Sequence, residues 1–285
     1  MKLIVTWDGI MDTGLEGKTA LITGGASGIG FGIAKALAEE GVNLAVASRN
    51  PDPTALDALR ANAVEVVAIP TDVSQEDQVN SMVRSAIDHF GHLDMYINNA
   101  AWTWHESITR FTTESFMKTI NTNLAAGLWA CREVSRHMIE RRQGSVLIVG
   151  STATFTPLYQ ESSYRISKTG LKVFAEVLAL ELAPYGIRVN TLIPGYFPTR
   201  LAAGITDEAQ EILVSQIPLR RPGKIEEVGA QAVVLLSDKL SGYTTGAFIV
   251  IDGGLQLRPL PYYADDELLA LNAPGQESNV GHIKS

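Results

Sequence analysis

Residues 18–40 read KTALITGGASGIGFGIAKALAEE, and this stretch decides the fold. Its first six residues form a short apolar run with the β-branched content of a buried strand. A glycine-rich turn comes next, and it opens directly into an amphipathic helical pattern that extends through Glu40. A strand, a glycine-rich turn and a helix in this order begin a β-α-β unit, which predicts an α/β domain.

The alternation of short apolar runs with longer helical patterns continues to residue 251. Continuously apolar strands separated by helices are typical of a parallel sheet that helices cover on both faces. We therefore predict an α/β fold with a doubly wound, Rossmann-like parallel sheet in one domain, residues 17–256, between an N-terminal arm (1–16) and a C-terminal tail (257–285). The predicted strands are 18–23, 43–47, 64–69, 93–97, 145–149, 187–193 and 248–251, and the main predicted helices after the first are 56–60, 75–90, 113–141, 163–183 and 225–236.

The composition and charge narrow the class of protein. The chain has 285 residues, 46% of them hydrophobic, and a formal net charge of -8, which argues against a nucleic-acid surface and against attraction to anionic membranes. No stretch has the ~18 apolar residues that a membrane helix needs. The single cysteine, Cys131, cannot form an intrachain disulfide, so a cytoplasmic protein is expected. The five histidines lack metal-ligand spacing, and no metal site is expected.

The glycine-rich turn is a candidate phosphate cradle. Gly24, Gly28 and Gly30 have no Cβ, so the backbone can approach a pyrophosphate closely at the positive end of the helix. A glycine turn without a ligand is the alternative, but the strand before it and the helix after it favour dinucleotide binding. The expected contacts in this turn are Thr23, Gly24, Ser27, Gly28, Ile29 and Gly30.

The ends of the second and third strands bear on which dinucleotide binds. An acid at the end of the second strand suits a free ribose, whereas an arginine suits a 2′-phosphate. The strand ends here in Ser48 and Arg49, which favours NADP(H) and leaves NAD(H) open. A solvent-exposed turn arginine is the other interpretation. Asp72, after the third strand, either accepts a hydrogen bond from the adenine amino group or caps the next helix.

Ser151, Tyr164 and Lys168 are candidates for the chemistry. Tyr164 lies 13 residues after Ser151, which follows the fifth strand, and Lys168 lies four residues further on the same helix face. An ammonium beside a phenol favours the phenolate, and a serine hydroxyl can bind the substrate oxygen. Tyr-x-x-x-Lys alone is common on ordinary helices, so its weight comes from the dinucleotide turn and the serine that precede it.

These motifs stand in an order that resembles the short-chain dehydrogenase/reductase family, in its shorter single-domain form, over about residues 15–256. Five independent motifs extend the likeness beyond the glycine turn and the tyrosine. They are Asp72 in TDV, Asn98-Asn99-Ala100, Asn123 in TNLAAG, PGYFPT at 194–199 and VIDGG at 250–254.

The resemblance implies an NAD(P)-dependent oxidoreductase that interconverts a secondary alcohol and a ketone. It implies that Tyr164 is the general acid/base, that Ser151 positions the substrate oxygen, and that Lys168 holds the nicotinamide ribose and lowers the tyrosine pKa. It further implies that Asn123 holds a water of a proton relay. Ala101 replaces the family's usual glycine and would be modestly strained if its φ were positive. The further cofactor contacts implied are Asp72, Val73, Asn99, Ala100, Pro194, Gly195, Phe197 and Thr199.

The substrate and the assembly are less defined by the sequence. Aromatic residues favour a ring or acyl group, whereas His105, Gln160 and Glu161 favour the hydroxyl groups of a sugar or polyol; some of the aromatic residues could instead cover the core. The resemblance implies a homodimer or homotetramer, with the helices at 113–141 and 163–183 in the interface. The candidate substrate contacts are Trp102, Trp104, His105, Phe155, Tyr159, Gln160 and Tyr196.

Two other classes of function stay open. A non-catalytic dinucleotide-binding regulator would not need the complete set of Asn123, Ser151, Tyr164 and Lys168. A lyase or epimerase of the same superfamily also uses Tyr-x-x-x-Lys, but the glycine spacing and the 31 residues after Gly254 argue against it.

Overall fold

The computed structural model describes residues 12–155, 160–199 and 206–257. Within them, seven parallel strands form one sheet in the order β3-β2-β1-β4-β5-β6-β7, which confirms the predicted doubly wound fold. The strands are β1 (Thr19–Thr23), β2 (Asn43–Ser48), β3 (Val66–Pro70), β4 (Met95–Asn98), β5 (Gly144–Val149), β6 (Ile187–Pro194) and β7 (Phe248–Ile251). The helices are α1 (Gly28–Glu39), α2 (Pro53–Arg60), α3 (Glu76–Phe90), α4 (Thr113–Ile120), α5 (Ala126–Arg141), α6 (Ser162–Leu182), α7 (Asp207–Ser215), α8 (Ile225–Leu236) and α9 (Asp238–Ser241).

Helices cover both faces of the sheet. Apolar side chains of α1 and α8 pack on one face, and those of α3, α5 and α6 pack on the other, where Cys131 is buried. The helices α1 and α8 approach closely at Gly229, where a Cβ would lie 2.5 Å from the Gly32 carbonyl oxygen. The strands β2 and β3 lie on one side of β1, and β4 to β7 lie on the other. The strand order therefore reverses between β1 and β4, and the carboxyl ends of these two strands form the switch point. Such a switch point is where doubly wound sheets bind ligands.

Buried charges anchor the amino ends of the strands. The Asp94 carboxylate accepts hydrogen bonds from the Thr19 amide at 3.0 Å and from Arg141 Nη2 at 2.9 Å. Burial raises the pKa of Asp94, but these hydrogen bonds outweigh burial and hold the pKa below its usual value. Arg188 in β6 donates to the Leu235 and Leu236 carbonyls and so binds the end of α8. These contacts lie at the end of the sheet opposite the switch point.

The predicted helix at 113–141 is divided in the structure. The helices α4 and α5 are separated by a π-helical turn, Asn121–Ala125, with Asn123 buried at its centre. Such turns occur often at functional sites. The helices α7 and α9 were not predicted, and the remaining predicted elements match the observed bounds to within a few residues.

The described part of the N-terminal arm packs onto the domain. Leu15 is buried in the core, and Thr13 Oγ1 donates to Glu40 Oε2 at 2.6 Å. The tail beyond residue 257 lies outside the described residues. No helix in the described part of the chain combines the length and the apolar character required to cross a bilayer.

Candidate active site

The glycine turn lies at the switch point, between β1 and α1. Gly24 and Gly28 have φ values of +69° and +54°, which side chains with a Cβ rarely adopt. A Cβ on Gly30 would lie 2.3 Å from the Gly24 carbonyl oxygen, so only glycine lets α1 begin this close to the turn. Ser27, the exposed N-cap of α1, makes no capping hydrogen bond with its side chain. The turn therefore retains the open backbone that a pyrophosphate needs.

Asn99 joins the turn to the neighbouring strand. Its Nδ2 donates to the Thr23 carbonyl at 2.8 Å, and Thr23 Oγ1 accepts from the Asn99 and Ala100 amides at 3.0 and 3.1 Å. Thr23 is buried, so it shapes the turn from behind. Ala101 is not among the described residues with positive φ, and the strain that its replacement of glycine could have caused does not arise.

The end of β2 has an exposed cation and a buried hydroxyl. Arg49 is exposed, whereas Ser48 Oγ is buried without a hydrogen-bond partner among the described residues. Asp72 Oδ1 accepts from the Ser74 amide and hydroxyl at 3.0 and 2.8 Å, so this oxygen caps the turn before α3. Burial raises the pKa of Asp72, but these bonds, together with the charge of Arg49, lower it overall. Val73 beside it is buried.

The segment after β6 borders the glycine turn. A Cβ on Gly28 would lie 3.3 Å from the Thr199 side chain, which places Thr199 at the start of α1. Pro194 ends β6, and Gly195 lies against Asp252, where a Cβ would come within 2.6 Å. The remaining two predicted residues of this segment differ in exposure: Phe197 is buried, and Tyr196 is half-buried.

Ser151, Tyr164 and Lys168 come together at the carboxyl end of β5. The Ser151 side chain lies beside the Tyr164 phenol, close enough to lower its pKa. Lys168 is buried, its Nζ donates to the Val149 carbonyl at 2.9 Å, and it lies 5.8 Å from the centre of the Tyr164 ring. The structure thus brings the three predicted catalytic residues into one cluster.

The pKa values in this cluster differ from the sequence-based expectation. Burial raises the pKa of Tyr164 above its usual value, although the Ser151 hydrogen bond and the charge of Arg165 oppose the shift. Burial also lowers the pKa of Lys168 to about 8. The lysine is expected to lower the tyrosine pKa, whereas burial raises that pKa overall in this structure. Tyr164 therefore holds its proton at neutral pH in this structure.

Asn123 connects the cluster to the segment after β4. Its Oδ1 accepts from the Trp102 amide, and its Nδ2 donates to the Trp102 carbonyl, both at 2.8 Å. The same Nδ2 lies 3.1 Å from Ser167 Oγ, which donates to the Tyr164 carbonyl at 2.6 Å. The side chain of Asn123 is thus a structural link between Trp102 and the backbone of α6.

The candidate substrate residues flank this cluster. Trp102 and Trp104 stack with ring centroids 6.0 Å apart, and His105 Nδ1 lies 4.0 Å from Glu161 Oε1. Gln160 is exposed, and its carbonyl accepts from the Glu106 amide at 3.0 Å. Phe155 is exposed, while Tyr159 lies outside the described residues.

Three contributing residues were missed from the sequence. Ser167 Oγ donates to the Tyr164 carbonyl, and the Glu106 amide donates to the Gln160 carbonyl. Lys118 Nζ lies 4.5 Å from the centre of the Trp102 ring. Ser167 could have been recognised because it lies three residues after Tyr164, on a neighbouring position of the helix. No sequence pattern marks Glu106 or Lys118, since their partners lie on other elements.

Comparisons with known proteins agree with this geometry. Residues 24–256 match the family model described as enoyl-(acyl carrier protein) reductase. The 3-oxoacyl-[acyl-carrier-protein] reductase FabG of Chlamydia pneumoniae is 33% identical over 247 residues, 86% of this chain and 99% of the relative. Glucose 1-dehydrogenase 2 of Bacillus subtilis (strain 168) is 33% identical over 252 residues, 86% and 97%.

A solved structure agrees as well. The crystal structure of a short-chain type dehydrogenase/reductase from Mycobacterium marinum superposes with a TM-score of 0.80 at 33% identity, covering 85% of this chain and 96% of that one. The matched span includes the glycine turn, the Ser151–Tyr164–Lys168 cluster and the last strand. The chain belongs to the short-chain dehydrogenase/reductase family of NAD(P)(H)-dependent oxidoreductases.

Proposed function

We propose that this protein interconverts a secondary alcohol and a ketone, with Tyr164 as the general acid/base. The observation that carries the proposal is the grouping of Ser151, Tyr164 and the buried Lys168 at the carboxyl end of β5. A phenol and a second hydroxyl side by side can both reach one substrate oxygen. The nicotinamide of a bound cofactor would supply or accept the hydride.

The protein's own groups handle the proton. Because burial raises its pKa, Tyr164 is a neutral phenol at neutral pH and can donate a proton to the oxygen of a ketone that is being reduced. Ser151 stabilises the developing negative charge on that oxygen by a hydrogen bond. The protonated Lys168 favours the phenolate that remains. Alcohol oxidation runs the same steps in reverse and needs the phenolate first.

Asn123 is proposed to complete the proton relay through a water. Its side chain is engaged by Trp102 and Ser167, so in this proposal the water is held by the Asn123 backbone rather than by the side-chain amide. The π-helical turn favours this role, because a π-helical turn perturbs the regular hydrogen-bond pattern of the helix backbone.

The described residues fit a dinucleotide and favour NADP(H). The glycine turn is an open cradle, with Gly24, Gly28, Ile29 and Gly30 for the pyrophosphate. The orphaned Ser48 hydroxyl and the exposed Arg49 would hold a 2′-phosphate, and Asp72 would receive the adenine. The nicotinamide end is proposed to contact Asn99, Lys168, Pro194, Gly195 and Thr199, with Thr23, Ser27, Val73, Ala100 and Phe197 shaping the remainder.

A homodimer or homotetramer is proposed from the outer face of α6. Ile166, Val173, Val177 and Leu180 recur at helical spacing and are exposed, and Leu180 keeps 77% of its surface accessible. A continuous apolar stripe of this kind marks an interaction surface, and a second copy of α5 and α6 would cover it.

The experiment that tests the function is a titration of the purified protein with NADPH and with NADH, followed by absorbance at the reduced nicotinamide band on a panel of ketones, sugars, polyols and keto acids. Tight NADPH binding, together with net oxidation of NADPH in the presence of one class of ketone, would support the proposal. Nucleotide binding without turnover on any class would favour a regulator. Conversion of the substrate without net redox change of the nucleotide would favour a lyase or epimerase. Failure to bind either nucleotide would overturn the proposal.

A further inference from the structure

The Trp104 indole is held firmly and left half uncovered. Its surface is 54% exposed, although indoles are mostly buried. Its Nε1 donates to Glu106 Oε1 at 2.6 Å, and Glu106 Oε2 accepts from Ser115 Oγ, also at 2.6 Å. Both oxygens of the glutamate are therefore engaged, and the orientation of the indole ring is fixed.

The ring is also supported from behind. The planes of Trp102 and Trp104 are only 5° apart, so the two indoles are stacked. Asn123 binds the Trp102 backbone in both directions, and Lys118 contacts the Trp102 ring. An exposed aromatic surface on such a support loses little conformational entropy when a ligand covers it.

The segment that carries Trp104 is attached to the chain that leads into α6. The Glu106 amide is bonded to the Gln160 carbonyl, four residues before Tyr164. Gln160 has a φ of +62°, a left-handed conformation that is uncommon for a residue with a side chain and that occurs often at functional sites. His105, next to Trp104, lies beside Glu161. Both neighbours of the indole in sequence, His105 and Glu106, therefore lie beside the residues that precede α6.

We propose that the exposed face of Trp104 binds the ring of a cyclic ketone or cyclic alcohol, and that Glu106 is the positioning residue that fixes the indole. The inference rests on the proposed function, because Tyr164 must act on the substrate's oxygen. A ring lies flat on an indole and excludes water from its whole face. An open chain on the same face would lose the freedom of several rotatable bonds, so the surface discriminates in favour of rings.

The test compares cyclohexanone with 2-hexanone, two ketones of equal carbon number. The wild-type protein is expected to have the higher kcat/KM for cyclohexanone. In Trp104→Ala the ratio of the two kcat/KM values falls about tenfold, mainly through KM for cyclohexanone, and Trp104→Phe keeps most of the preference. A ratio in Trp104→Ala that stays within about twofold of the wild-type ratio, less than a stacking contact is worth, overturns the proposal.

Glu106 is tested by a pair of variants. Glu106→Ala frees the indole and raises KM for cyclohexanone more than it lowers kcat. Glu106→Gln keeps an acceptor for Trp104 Nε1, so its KM for cyclohexanone should return to the wild-type value. If Glu106 acted only through its charge, Glu106→Gln would raise this KM as much as Glu106→Ala does. Equal KM values in the two variants would remove the positioning role.

A binding measurement separates this proposal from the proposed function. Saturation-transfer NMR with cyclohexanone reports contact of ring protons with the protein without turnover. Transfer that is present in the wild type and lost in Trp104→Ala, with no compound of the panel turned over, keeps the ring surface and overturns the proposed function. Reduction of both ketones with an unchanged ratio in Trp104→Ala keeps the proposed function and overturns the ring surface. No transfer to cyclohexanone in the wild type also overturns the ring surface.

Discussion

Asn123 and Trp102 are paired in both directions: the asparagine Oδ1 accepts from the Trp102 amide, and its Nδ2 donates to the Trp102 carbonyl, each at 2.8 Å. The asparagine is buried in the π-helical turn, so it holds the segment after β4 at a fixed height above the sheet. The same Nδ2 contacts Ser167, and the position of Trp102 is thereby coupled to the helix that carries Tyr164.

Replacing the amide of Asn123 tests this coupling. Asn123→Asp has no Nδ2 donor, so the Trp102 carbonyl loses its partner and a charge is buried. We expect the free energy of unfolding to fall by about 1–3 kcal/mol and turnover to fall with it. Urea unfolding and steady-state rates measure both effects. The matched control is Asn121→Asp, the same exchange two positions earlier, and equal losses in the two variants would contradict the coupling.

Removing one oxygen atom tests the proposed acid/base. In Tyr164→Phe the proton donor is lost while the ring remains, so turnover is expected to fall by about 10²–10⁴-fold with NADPH affinity retained. Tyr243→Phe makes the same exchange at a fully exposed tyrosine and is the control. Turnover in Tyr164→Phe that remained close to the wild-type rate would show that another group transfers the proton.

The pKa of Lys168 predicts a pH profile. Because burial lowers this pKa to about 8, the lysine is charged below that pH and loses its charge above it. Neutral Lys168 no longer favours the phenolate that forms when Tyr164 donates its proton, so ketone reduction should slow above about pH 8. The measurement is kcat/KM against pH for ketone reduction.

Lys168→Arg supplies the control for that profile. The guanidinium stays charged throughout the accessible range, so in whatever activity remains the decline near pH 8 should disappear. A wild-type profile without a decline in this region, or a decline that persists in Lys168→Arg, would assign the titration to another group.

Arg49 decides the cofactor in our proposal. A charge-assisted bond to a 2′-phosphate is absent with NADH, so Arg49→Ala should weaken NADPH binding by about 10–100-fold and affect NADH far less. Arg60→Ala, at another exposed arginine in the same part of the fold, is the control. Fluorescence titration of the wild type and both variants with NADPH and with NADH gives the six dissociation constants. A similar loss for both nucleotides would mean that Arg49 does not read the phosphate.

The apolar stripe on α6 predicts the state of assembly. Val177→Glu places a charge in the middle of the proposed interface and should shift the protein to smaller species. Light scattering coupled to gel filtration measures the shift. Ala58→Glu on α2 adds the same charge at an exposed apolar position outside the stripe and should leave the assembly intact. A wild-type monomer would refute the proposed interface.

The fold was predictable because the strands are short and apolar and alternate with helical patterns, and because the glycine turn at 24–30 has few other uses. The division of 113–141 was not, since the π-helical turn depends on bonds from Asn123 to residues of two other elements. The grouping of Ser151, Tyr164 and Lys168 followed from their spacing and from the family likeness. The direction of the Tyr164 pKa did not, because it depends on burial, which residue spacing does not show.

The separation between the amino and carboxyl ends of the strands has consequences for how the substrate specificity of this protein can change. Asp94 and Arg188 make their contacts at the amino ends of the strands, while Ser151 and Tyr164 lie at the carboxyl ends, a full strand length away. Variation in the groups proposed to contact the substrate, such as Trp104, therefore leaves these anchoring contacts untouched. The scaffold can accept new specificities without losing its ability to fold, which makes the edge with the catalytic cluster the place to begin directed evolution.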